Sequence, residues 1–238
     1  MRAPVQSACR NRLLALIPPE DFALLKPDLE PVDLPKSFVA AEADNVFEHV
    51  YFLETGLMSI IATSPEGQAI EAGLYGRDGM GPIPAVLGSD RTSHRSLAQV
   101  PGEGHRILRT ALVEALERSA SLRALLLRFA QVQGVQTAFT ALSNAVHPIN
   151  ERLARWLLMC HDRHDSDEIP LTHEFLSLML AVRRPSVTTA LYVLKGNRFI
   201  WAERGYVTIR NRTALEEFAG DAYGKPEAEY RRLIGPMA

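Results

Sequence analysis

The sequence predicts an α+β chain in three consecutive parts: a β-rich sandwich or roll, a long helix, and a helix-turn-helix followed by a hairpin. Three observations carry this. From about Pro31 to Thr110, short apolar runs alternate with turn residues, the texture of antiparallel strands. After Thr110 glycine is absent until Gly134, and leucine and alanine take over. The stretch Ile169–Arg212 then reads as two short helices around a tight turn, closed by two strands.

Bulk properties agree with this layout. At 238 residues the chain is long for one domain and comfortable for two. Its 47% hydrophobic and 23% charged content is ordinary for a soluble globular protein. No apolar run approaches the roughly 18 residues of a membrane span, so no membrane partner is expected. The basic start is followed by Pro18-Pro19 and Glu20 with no small-residue cleavage site, which argues against a secretory signal. Two cysteines, Cys9 and Cys160, cannot build a disulfide framework, so a cytoplasmic location is expected.

In chain order, Asn11–Leu29 places Leu13, Leu14, Leu16, Ile17, Phe22, Leu24 and Leu25 on one or two short amphipathic helices, interrupted at Pro18-Pro19 and closed at Pro27. Strands follow at Val50–Leu53, Leu57–Ala62 and Ala69–Leu74, with turns at Glu54-Thr55-Gly56, Ser64–Gly67 and Gly76–Gly79. From Leu122, the residues Leu125, Phe129, Val132, Gln136, Phe139, Ser143 and Val146 keep a three-four spacing. So narrow a stripe reads as the seam of a dimerisation helix, with the plain alternative of one long helix packed on the roll. His147-Pro148 breaks the pattern, because proline pushes the preceding residue out of helix. The expected division is residues 1–119 for the N-terminal helices and roll, 120–146 for the long helix, 147–220 for the helix-turn-helix unit, and 221–238 for a helical tail.

Within the third part, Thr172 is a plausible N-cap with Glu174 in the first turn, and Phe175, Leu176, Met179 and Leu180 share one face. Ala181-Val182-Arg183 makes the turn. Pro185 suits the first turn of the second helix, Val187, Leu191 and Leu194 form its buried stripe, and Gly196-Asn197 is expected to stop it. Phe199–Ala202 and Tyr206–Ile209 flank Glu203-Arg204-Gly205 as a wing. Helix, turn, helix and hairpin describe a winged helix-turn-helix, whose second helix enters the major groove of double-stranded DNA. Charge agrees. Arg183, Arg184, Lys195, Arg198, Arg204, Arg210 and Arg212 face one acid, Glu203, a balance of +6 inside a chain of net −2.

Together these parts resemble the Crp/Fnr superfamily of bacterial transcription regulators, from about Asn11 to Phe218. The resemblance rests on Leu171-Thr172, Ala181-Val182-Arg183, Arg184-Pro185-Ser186-Val187 and Thr188-Thr189, with a weaker match at Tyr51–Ser59 and Gly79-Met80-Gly81. It implies a cyclic-nucleotide-binding-like β-roll, a dimer, and a sequence-specific DNA reader with RNA polymerase as a candidate partner. It places DNA contacts at Arg184 first, then Arg183, Ser186, Thr188 and Thr189, with Thr172 and the wing residue Arg204 beside them. Where the family carries a glutamate and a second arginine in the recognition helix, this chain has Pro185 and Thr189, so the family's best-known operator is not expected to carry over. The effector pocket maps to Gly79, Gly81, Arg91, His94 and Arg95. In the nucleotide-binding segment, however, Gly81-Pro82-Ile83-Pro84 lacks the family's carboxylate, and its prolines lack N–H donors. Cyclic nucleotide is therefore disfavoured and no cofactor is expected.

Other chemistries find less support. Cys160, His161 and His164 have metal-ligand types at helical spacing, but Cys160 falls on a buried stripe with Trp156 and Leu157, so no metal site is expected. Two cysteines are too few for a four-thiolate iron–sulfur cluster. A haem on His49, His94 or His105 stays open without a feature that selects one. No nucleophile elbow, phosphate loop or metalloprotease motif occurs, so the chain is not expected to be an enzyme. The competing functional class is a ligand-binding module whose winged unit contacts protein instead of DNA.

Overall fold

The computed structural model describes residues 4–237. Two short helices, α1 (Arg12–Leu16) and α2 (Pro19–Leu25), open the chain and bury Leu13, Leu14, Phe22 and Leu25. Eight strands follow: β1 (Glu30–Leu34), β2 (Val39–Ala41), β3 (His49–Leu53), β4 (Leu57–Thr63), β5 (Ala69–Tyr75), β6 (Met80–Gly81), β7 (Arg95–Val100) and β8 (Gly102–Leu108). They form two four-stranded antiparallel sheets, β1-β8-β3-β6 and β2-β7-β4-β5, so the expected roll is present. The turn between β3 and β4 needs glycine twice over. Gly56 has φ +82°, and a Cβ there would lie 2.8 Å from the Val100 carbonyl oxygen.

The roll hands over to α3 (Arg109–Arg118) and the 27-residue α4 (Ala120–Val146), capped by Ser119 accepting from Leu122 N–H. Next come α5 (Ile149–His161), β9 (Glu168–Pro170), α6 (His173–Leu180), α7 (Arg184–Gly196), β10 (Ile200–Glu203) and β11 (Tyr206–Ile209), then α8 (Arg212–Ala219) and α9 (Lys225–Leu233). The wing has a third strand: β9 pairs antiparallel with β11, giving the order β10-β11-β9. The sequence carries no signal for β9, because a three-residue edge strand has too few residues to show a period.

Two cores organise the molecule. The first lies inside the roll and extends to α1–α4, with Phe52, Leu53, Met58, Tyr75 and Phe129 among its members. The second joins α5, α6, α7 and the wing to Leu57, Ile61, Leu74, Leu97 and Val100 on the other face of the β2-β7-β4-β5 sheet. Strand β4 is thus buried on both faces: Met58 belongs to the first core, Leu57 and Ile61 to the second. A strand covered on both sides reads as a near-continuous apolar run, which Leu57–Ala62 shows with Ser59 as its one polar residue.

The stripe expected to be a dimer seam packs differently. Leu122, Leu125, Phe129, Val132, Gln136 and Ser143 are all buried in this chain's own interior, and Phe139 is half-buried. Gln136 accepts from Leu74 N–H of β5 (2.7 Å), and Gln133 donates to Gln136 (3.1 Å). The polar stripe position Gln136 therefore binds α4 to the roll. The stripe also ends before Val146, which is 62% exposed.

Buried polar contacts tie the roll to the C-terminal part. Arg163, two residues beyond α5, forms an ion pair with Asp78 (2.8 Å), with side chains 3% and 2% exposed. Trp156 Nε1–H donates to Glu71 Oε1 of β5 (2.7 Å). At the surface, Arg10 and Arg77 both pair with the half-exposed Asp165. The tail is a strap: Tyr230 of α9 is buried in the first core and donates its hydroxyl to the Asp78 carbonyl (2.8 Å).

Candidate nucleic-acid interface

The helix-turn-helix is built as its residues require. Thr172 caps α6, its hydroxyl accepting from Phe175 N–H (3.3 Å), so one lone pair serves the helix while the O–H stays available to an outside acceptor. Leu176, Met179 and Leu180 are buried. The turn uses Ala181 at φ 50°, ψ 46°, a left-handed conformation that suits glycine better. In α7, Val187, Ala190, Leu191 and Leu194 face the core, which leaves Arg183, Arg184, Pro185, Thr189 and Tyr192 exposed, with Ser186 and Thr188 half-buried. The helix stops at Gly196-Asn197 as expected, but not through a left-handed residue at either position. Gly196 is still helical and Asn197 has φ −80°; the left-handed residue is Arg198 at φ +61°. Asn197 instead caps the end by donating its side-chain amide to Val193 O (2.9 Å).

Arg184, at the first position of α7, reaches Glu174 of α6 at 3.3 Å. Both side chains are well exposed, 65% and 79%, so this pair is loosely held and can yield to a phosphate or base. Thr188 and Thr189 return their hydroxyl protons to the Arg184 and Pro185 carbonyls (3.2 and 3.1 Å). That leaves acceptor lone pairs and methyl groups for a groove. Arg204 and Gly205, φ +90°, form the exposed wing tip.

A cleft of about 730 Å³ separates α7 from the wing, with His173, Thr188, Tyr192, Lys195, Glu203 and Arg204 on its walls. Sequence reading did not single out Lys195, Trp201 and Tyr206 as site residues. Lys195 Nζ sits 3.9 Å from the Trp201 ring centroid, a cation–π contact that holds its charge beside the cleft. Tyr192 of α7 is 70% exposed, and Trp201 and Tyr206 of the wing are each 48% exposed. Arg212 departs from the basic set. It turns inward to Asp162 (2.6 Å), Glu216 (2.8 Å) and the Tyr223 hydroxyl (2.9 Å), so its charge is used to dock α8 and the tail.

The expected effector residues divide. His94 lines a cavity of about 260 Å³ between the roll and α4. Arg91 and Arg95 do not: Arg91 is 63% exposed beside Asp90 (4.0 Å), and Arg95 is 45% exposed and paired with Glu42 (3.2 Å). Gly79 and Gly81 are packing glycines, since a Cβ at either would run into the Phe129 or Tyr75 ring. Cys160 is fully buried in the second core, where burial pushes its thiol well above the ordinary range. His161 Nε2 faces Asp167 (2.8 Å) and Nδ1 faces Arg212 (2.7 Å). Among the described residues, no cluster of three or more His, Cys, Asp or Glu stands where it could hold a metal, and no helix is long and apolar enough to cross a membrane.

Comparison with known proteins bears on the same region. Residues 151–218 match the Crp-like helix-turn-helix domain, which spans α5 to α8. A transcriptional regulator of the Crp/Fnr family from Eubacterium rectale superposes with a TM-score of 0.67 at 16% identity, covering 87% of this chain and 97% of that one. FixK2 from Bradyrhizobium japonicum gives a TM-score of 0.68 at 15% identity, over 80% and 96%. A CRP-family transcriptional regulator from Thermus thermophilus gives 0.63 at 20% identity, over 79% and 96%. No curated protein sequence matches. The chain thus carries a Crp-like helix-turn-helix within the fold of the Crp/Fnr regulators.

Proposed function

We propose that this chain is a dimeric, sequence-specific DNA-binding transcription regulator of the bacterial cytoplasm, with the roll as its sensor and no catalytic role. The observation that carries this is α7: a helix in a Crp-like helix-turn-helix, with arginines at its exposed N-terminal end and a basic wing beside it. Arg184 and Arg183 are placed to reach bases or phosphates, Ser186, Thr188 and Thr189 to line the groove, and Arg204 to touch the backbone from the wing. RNA polymerase is the partner such a regulator would recruit or block.

The dimer face we assign is the side of α4 turned away from the core. Leu127, Gly134 and Ala141 are exposed at intervals of seven, as are Gln131, Ala138 and Ala145 in a second row. Two rows at heptad spacing make a seam, and its small residues let two helices approach closely. A two-fold axis along this seam suits a reader of two half-sites about 34 Å apart. Ala138→Glu places a charge in the seam and should convert the dimer to monomer in sedimentation; an unchanged dimer would move the interface elsewhere.

Gel-shift titration against the promoter of the protein's own gene, with competitor DNA, tests the reading. The expected result is a specific complex that weakens steeply with salt. A protein-contacting winged unit is favoured by the exposure of three large aromatics, Tyr192, Trp201 and Tyr206. It would give no specific shift at any salt concentration.

A further inference from the structure

We infer that the cavity between the roll and α4 binds a small, uncharged, largely apolar molecule, and that it excludes cyclic nucleotides and other phosphates. The regulatory meaning rests on the sensor reading above; the binding itself does not. The walls come from four directions. Ile60, Ala72, Tyr75 and Ser96 belong to the sheet, Pro82, Ile83, Pro84 and Leu87 to the segment after β6, and Thr92 and His94 to the approach to β7. Ala130, Gln133, Gly134 and Thr137 come from α4.

Charge decides against an anion. None of the described residues lining the cavity is Arg, Lys, Asp or Glu. Arg91 and Arg95, which could have gripped a phosphate, lie outside and face Asp90 and Glu42. Pro82 and Pro84 have no N–H to offer. Apart from the imidazole of His94, a phosphate placed here would meet no side chain able to offset its charge, which makes its burial costly.

The polar groups present suit a neutral guest with one or two hydrogen-bonding atoms. Tyr75 and Ser96 already pair through their hydroxyls (3.0 Å), and the Thr92 hydroxyl accepts from His94 N–H (3.1 Å). Gln133 spends an N–H on Gln136 (3.1 Å), and among the described residues no donor reaches its amide oxygen. A guest donor therefore has an acceptor at Gln133, while its apolar body lies against Ile60, Ala72, Pro82 and Ile83. The volume, about 260 Å³, falls just under the roughly 300–1,000 Å³ of drug-sized sites. That fits a molecule of one or two rings. Gly134 lies both on the cavity wall and on the exposed α4 face, so occupancy would be felt where a second copy seats.

The test is calorimetric titration of the full chain, without DNA, using indole, 4-methylphenol and cyclohexanone as neutral probes and cyclic AMP as the anionic one. At least one neutral probe should bind with a sub-millimolar dissociation constant, and cyclic AMP should give no heat of binding at millimolar concentration. Ala72→Phe should fill the cavity and weaken the probe at least tenfold, with Ala72→Val weakening it by less. Cyclic AMP binding more tightly than every neutral probe, or no neutral probe binding at all, would overturn the inference. So would a probe indifferent to both Ala72 variants. Because DNA is absent, these results stand apart from the gel-shift outcome.

Discussion

Glu71 offers a quantitative test of how the C-terminal part is docked on the roll. Its carboxylate is 3% exposed, with Oε1 accepting from Trp156 and Oε2 buried without a partner. Burial raises its pKa from 4.5 to about 7, against the opposing pull of Ser59, Trp156, Arg155 and Arg163. A carboxyl whose pKa is higher folded than unfolded binds its proton more tightly in the native state. Its contribution is therefore fully present below about pH 4.5 and lost as pH rises through about 7. The interval corresponds to about 3 kcal/mol at ~1.36 kcal/mol per pH unit. Glu71→Gln keeps an oxygen for the Trp156 N–H and removes the titration. Urea denaturation followed by circular dichroism should give wild type and variant similar stabilities near the acid end of the interval. At about pH 8 the variant should be more stable by about 3 kcal/mol. Wild-type and variant curves that run parallel from acid to alkaline pH would refute the reasoning, because Glu71 would then share one pKa in both states.

Other substitutions probe separate links. Arg163→Met strands Asp78 as a buried charge and should cost about 3–5 kcal/mol in the same denaturation assay; a loss under 1 kcal/mol would mean that the pair is solvated. Ala181→Gly relieves the left-handed turn of the helix-turn-helix and should raise stability by about 1 kcal/mol, less the entropy glycine adds to the unfolded chain. Arg184→Ala should weaken specific DNA binding by about 1–3 kcal/mol. Glu174→Ala should strengthen it by up to about 1 kcal/mol by freeing Arg184. Fluorescence anisotropy with labelled duplex reads both, and opposite signs for either would remove Arg184 from the interface.

Much of the fold was legible because its elements carry local signatures. The turn at Gly56, the N-cap at Thr172, the proline opening α7 and the glycine closing the wing each act within a few residues of chain. The buried face of α7 followed from its spacing. Periodicity reveals that a face is buried but not what covers it, which is why the α4 stripe suggested a partner while Phe129 and Gln136 actually meet the roll. Small residues at Gly134, Ala138 and Ala141 give little hydrophobic signal, so the opposite face was silent. Long-range partners were also out of reach. Nothing near Arg212 in sequence announces Asp162, and nothing near Tyr230 announces Asp78. In the candidate pocket, His94 was reached from the resemblance, but Arg91 lies outside beside its neighbour Asp90, and Arg95 pairs with Glu42, which only the folded chain brings near.

The central claim is that two copies of α7 read two half-sites. Selection of bound duplexes from a random pool, followed by sequencing, tests it most directly. The account predicts an enriched motif with two-fold symmetry and half-site centres about 10 base pairs apart, lost in Arg184→Ala. A pool that enriches no motif, or only an asymmetric single site, would contradict it.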